Sequence, residues 1–144
     1  MKTKFENNWI DKTLEILENK VWEKPDYESY LVTTCYELRK KQLKEFEIED
    51  FRIMIGQNIG LEYLIPLTLE ILNNNILSEG DYYEGDLLLS VLKSDENYWK
   101  SEKENWKIMC SIFEINNEKI MNSDISKNLK SELNILFDQF KTIN

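Results

Sequence analysis

Within eight residues, Glu79-Gly80-Asp81-Tyr82-Tyr83-Glu84-Gly85-Asp86 gathers four carboxylates and two phenols. Such a set could hold a cation, act as an acid–base pair, or face a basic partner. A calcium-binding EF-hand loop needs oxygen ligands at alternate positions, a glycine at position 6 and a glutamate at position 12. Counted from Glu79, position 6 is Glu84 and position 12 is Ser90, so that reading fails. Two carboxylates could flank a bond to be hydrolysed, but nothing in the spacing selects a pair. For contact with a basic protein the residue types fit well. Tyrosine supplies broad contact area and one hydrogen bond at low entropic cost, and carboxylates pair with lysine and arginine. On the alternative reading, Asp81 and Asp86 serve as turn and cap residues and the tyrosines pack inward.

The rest of the composition narrows the chemistry. The chain has no histidine, which excludes Ser-His-Asp and Cys-His catalysis and imidazole-based zinc sites. Its 27 acids against 18 bases give a net charge of −9. Such a surface repels phosphate, so neither nucleic acid nor a membrane is expected as partner. A basic protein suits it, although the same charge would also simply keep a protein dispersed. Cys35 and Cys110 sit on apolar stripes and make no disulfide framework. Met1 to Lys12 has no run suited to a signal peptide, and the chain has no membrane-spanning stretch. These features predict a cytoplasmic protein, with no metal or cofactor expected; for an enzyme they leave paired carboxylates, lysine or tyrosine chemistry, or an all-oxygen metal site.

The elements that must carry these residues read as helices. Four glycines and two prolines in 144 residues leave little punctuation for a many-turned β fold. Ile10, Leu14, Leu17 and Val21 recur at helical spacing and predict a first amphipathic helix. Asp26 is placed to cap a second, striped by Tyr27, Leu31, Cys35 and Leu38. It ends in the basic run Arg39-Lys40-Lys41, which suits the negative end of its dipole. A third begins near Ile48, with Phe46 and Phe51 as a hydrophobic staple and Gly60 as its left-handed cap. Leu61 to Leu72 form a fourth, in which Pro66 lies near the start or makes a kink, and Asn73-Asn74-Asn75 end it. The loop from Ser78 to Asp86 follows, then a short helix from Leu87 to Leu92. Ser101 and Glu104 have capping-box spacing and open a helix striped by Trp106, Met109, Cys110 and Phe113. Asn116-Asn117-Glu118 reads as its polar end. Ile125, Leu129, Leu133, Leu136 and Phe140 stripe a last helix, capped by Ser123 or Asp124. The expectation is an all-α bundle of about seven helices in one domain spanning residues 1–144.

Two segments carry more than periodicity. Asp50-Phe-Arg-Ile-Met-Ile-Gly-Gln-Asn-Ile-Gly-Leu-Glu-Tyr-Leu-Ile-Pro-Leu67 is followed by Glu79-Gly-Asp-Tyr-Tyr and Gly85-Asp-Leu-Leu. Together with Leu31, Cys35, Leu38, Arg39 and Lys40, this pattern resembles the immunity proteins of contact-dependent growth inhibition (CDI) systems. Glu84 stands where that family's second motif is expected to carry a proline. The resemblance implies a cytosolic, non-enzymatic helical protein that binds and neutralises the C-terminal toxin domain of a large effector, commonly a basic nuclease. It implies a monomer in a 1:1 complex. A motif shared across differing toxins serves the fold, so Arg52, Gly56, Gln57, Gly60, Tyr63, Pro66 and Gly85 are expected to be scaffold. Toxin contact is then expected from Glu79, Asp81, Tyr82, Tyr83, Glu84 and Asp86. Glu45, Glu47, Glu49 and Asp50 form a secondary acidic patch. An acidic adaptor binding some other basic protein is the competing reading.

Overall fold

The structure, a computed structural model, describes residues 5–26 and 29–144. Among them lie eight α-helices and no strand: α1 (Leu14–Leu17), α2 (Tyr30–Leu38), α3 (Ile48–Gly56), α4 (Leu61–Asn74), α5 (Asp86–Leu92), α6 (Glu96–Ser101), α7 (Lys103–Asn122) and α8 (Lys127–Phe140). The all-α expectation holds. One apolar cluster runs from Leu14 to Phe140, so every helix contributes to the same core. No helix among the described residues is long and apolar enough to cross a membrane.

The N-terminal helix differs from its periodicity. Thr13 caps it by accepting from the Ile16 N–H at 3.3 Å, and α1 ends four residues later. Asn19 takes a left-handed φ of 52°, and Val21 is exposed. The reason lies in α2. Arg39, buried at its end, pairs with Glu18, donates to the Lys20 carbonyl at 2.6 Å and stacks on Trp22 at 4.5 Å. These contacts hold residues 18–22 out of a helix and strap them against α2. Of the expected basic run, Lys40 pairs with Glu15 and Lys41 with Asp50, so all three cations are tied to named acids. The cap of α2 is Ser29 rather than Asp26. Tyr27, expected on its stripe, lies outside the described residues.

The start of α3 follows local rules. Phe46 and Phe51 meet edge to face at 5.2 Å, and the Glu47 N–H donates to Asp50 at 3.0 Å. Its end does not use Gly60. The Asn58 N–H donates to the Ile55 carbonyl, and the Ile59 N–H to that of Met54, both at 2.9 Å, around Asn58 at φ 57°. That is a Schellman motif with asparagine in the left-handed place. Gly60, at φ 67°, instead caps the start of α4. Pro66 lies inside α4.

Three C-terminal boundaries also depart from expectation. Ser101 caps nothing ahead of it: it closes α6, its hydroxyl donating to the Tyr98 carbonyl at 2.9 Å. The short α6 exists because Trp99 is fully buried, donating to Ser94 Oγ at 2.8 Å and packing on Phe140. Asn116-Asn117-Glu118 does not end α7, which continues to Asn122. Ile112, Phe113 and Ile120 are buried along its inner face, and Phe113 stacks on Phe137 of α8 at 4.0 Å. Ser126, not Ser123 or Asp124, caps α8 by accepting from Leu129 at 3.1 Å.

Candidate functional site

The loop 79–86 is folded around an inward-turned carboxylate. Asp86 opens α5 and is only 3% exposed. One of its oxygens accepts from the Gly80 N–H at 2.7 Å, the other from the Tyr82 and Tyr83 N–H groups at 3.1 and 3.4 Å. A carboxylate at a helix N-terminus is favoured by the dipole, and here it also satisfies the backbone of the turn before it. Gly85 enters α5 at φ 90°, and Glu79 bridges Glu84 to close the loop.

From α3 comes a second support. Glu49 accepts two hydrogen bonds from Arg52, each 2.6 Å, and one from the Asp81 N–H at 2.9 Å. Those bonds, with the first from Arg52 the strongest influence, hold its carboxyl below the usual glutamate range against the opposing effect of burial. The reciprocal bond pushes the Arg52 guanidinium further up. Arg52 also lies 3.9 Å from Asp86 and stacks 4.5 Å from the Tyr82 ring centre. Gly80 passes between these groups. A Cβ there would sit 2.5 Å from Glu49 Oε1 and 3.2 Å from Asp86 Oδ2, so only glycine fits without displacement.

The structure thus brings the loop, the start of α3 and Arg52 into one cluster. Glu79, Asp81, Tyr82, Tyr83 and Glu84 point to the surface, with Tyr82 67% exposed. Asp86 and Glu49 are engaged internally. Asp50 is held by Lys41 at 2.7 Å, while Glu45 and Glu47 are exposed. Of the remaining motif residues, Tyr63 is buried and donates to the Leu17 carbonyl at 3.2 Å. Gln57 ends α3 with its side chain exposed. Gly56 is open: among the described residues a Cβ would meet only Ser90 Oγ at 3.7 Å, and no backbone crosses closely there.

Sequence reasoning missed what lies beside the loop. A cleft of about 420 Å³ is lined by Tyr83 and Glu84 on one element and by Ile125, Ser126, Asn128, Leu129 and Glu132 on another. Some forty residues separate the two sets, and no local pattern links them. Chemically the whole face can hold and orient cationic groups. Among the described residues no set of three or more histidine, cysteine or acidic side chains converges on a metal site.

A family model of CDI immunity proteins matches residues 16–109, which takes in α3, α4, the loop and α5. No curated protein and no solved structure matches the chain. Because the match spans well over half the chain and includes both glycine-bearing segments with the Arg52 cluster they form, the protein belongs to the family of CDI immunity proteins.

Proposed function

We propose that this immunity protein neutralises a delivered toxin by binding its C-terminal domain through the face built on loop 79–86. The toxin domain is a basic nuclease, and the complex is a 1:1 assembly in the cytoplasm. One observation carries the reading: Asp86 and Glu49 turn inward and fix the loop backbone, while Asp81, Tyr82, Tyr83 and Glu84 stay exposed. A loop already held in place spends little entropy on association, which favours tight binding.

A net charge of −9 supports the same partner. Complementary charge raises association toward roughly 10⁸–10⁹ M⁻¹s⁻¹ at low salt, which matters when one toxin molecule is harmful. Inhibition is by occlusion: the acidic face occupies the cationic surface that would hold phosphate, and no bond is made or broken. Co-purification with the toxin domain encoded beside the gene, followed by growth rescue of cells expressing that toxin, tests the reading. Rescue with a stable complex is expected; growth arrest despite soluble protein would sink it.

A further inference from the structure

The cleft between the loop and α8 has a composition that an acidic surface alone does not require. Ile125 and Leu129 supply apolar side chains, Tyr83 an aromatic ring, Asn128 an amide, and Glu84 and Glu132 a carboxylate from each of the two elements. The elements meet in the core: Gly85 is buried beside Leu129 and Leu133 of α8, which belong to the same apolar cluster as Leu87 and Leu88 of α5. The cleft therefore belongs to the same fixed surface as the exposed tyrosines.

We propose that this cleft is a socket for an arginine side chain of the toxin domain, and that residues 125–132 take part in selecting the toxin. The proposal rests on the function given above and extends it to a segment not yet assigned. An arginine has an apolar stem and a planar cationic head. Ile125 and Leu129 cover the stem, the Tyr83 ring offers a face for the guanidinium, and Glu84 and Glu132 accept its N–H groups. An anion would meet two carboxylates, and a purely apolar group would strip water from them without replacing it. Glu132 now pairs with Lys93 at 3.5 Å, both about half exposed. Exposed pairs of this kind are weak, so a better-placed guanidinium displaces the lysine cheaply. The N-terminal end of α8 carries a partial positive charge, of which Ser126 Oγ takes up one N–H, that of Leu129, and the Glu84 and Glu132 carboxylates together outweigh the remainder.

The family match stops at residue 109, so Ile125, Ser126, Asn128, Leu129 and Glu132 lie outside it. One wall of the cleft is thus drawn from a part of the chain outside the family pattern, where residues can be particular to this protein's own partner.

Calorimetric titration of the neighbouring toxin domain into three proteins tests the socket: wild type, Glu84→Gln/Glu132→Gln, and the control Glu104→Gln/Glu118→Gln on α7. The two variants carry the same charge change, and circular dichroism checks their folding. The cleft variant is expected to weaken binding about tenfold or more, the control less than about twofold. Equal losses would overturn the socket while leaving the broader function standing. If wild type itself fails to bind, that broader function falls, and the socket is decided separately by NMR titration with N-acetyl-arginine amide. Amide shifts at Tyr83, Glu84, Asn128 and Glu132 that vanish in the cleft variant uphold it. No shift, or shifts elsewhere, overturns it.

Discussion

Arg52 grips Glu49 through two hydrogen bonds of 2.6 Å and lays its guanidinium 4.5 Å from the Tyr82 ring centre, so one side chain of α3 both orders an acid and supports an exposed aromatic. Removing it as Arg52→Ala leaves Glu49 and the buried Asp86 without their cation. For fully buried pairs such a loss costs 3–5 kcal/mol; with Arg52 21% exposed we expect about 1–3 kcal/mol. Urea denaturation measures it. Arg52→Lys should recover only part, because an ammonium cannot hold Glu49 bidentately.

The same contact sets an acid limit on stability. The folded-state pKa of Glu49 lies below its unfolded value, chiefly because Arg52 hydrogen-bonds it. Its contribution is therefore complete above the ordinary value of about 4.3 and is lost as pH falls through the lower folded value. Urea melts of wild type and Glu49→Gln between pH 7 and pH 3 should show a steeper acid loss in wild type. Parallel curves would remove this role.

Two glycines of the same motif should respond in opposite ways to alanine. Gly56→Ala meets only ordinary contact at 3.7 Å and should stabilise by about 0.5–1 kcal/mol through helix propensity. Gly60→Ala should destabilise by about 2 kcal/mol or more: φ is 67°, and the new methyl lies 2.8 Å from Leu14 Cδ1. Thermal melts of the pair decide it.

Reversal of charge on the outward face is expected to act on binding rather than folding. Asp81→Lys with Glu84→Lys should weaken toxin affinity and flatten its dependence on salt, because fewer opposite charges are brought together. Calorimetry across a salt series reads both effects. Unchanged titrations would move the contact away from this loop.

Both thiols should be inert in the folded protein. Burial pushes Cys110 up to about 11 and raises Cys35 as well, so little thiolate forms near neutrality. A disulfide reagent at pH 8 should label neither until the chain is unfolded in guanidinium. Fast labelling of the native protein would show that α2 or α7 opens readily.

Where structure depends on a few neighbouring residues, it was legible. The staple of Phe46 on Phe51, the end of α4 at its asparagines, the turn-rich loop and the helical character of the whole all follow from patterns within about one or two turns. The crowding of carboxylates and phenols between Glu79 and Asp86 was equally visible, since residue types there are unusual for any single structural purpose.

Tertiary structure decided the rest. Residues 18–22 leave the helix their periodicity predicts because Arg39, some twenty positions later, offers better partners. Asn116-Asn117-Glu118 stays helical because Ile112, Phe113 and Ile120 are buried around it. Asp86 and Glu49 turn out to organise the loop because Arg52 and four backbone N–H groups converge on them across more than thirty residues of chain. Sequence by itself determined that acids would crowd this segment of a helical protein. Which acids turn inward and which stay exposed was settled by packing, since a carboxylate's role depends on the donors that reach it, and those come from elsewhere in the fold.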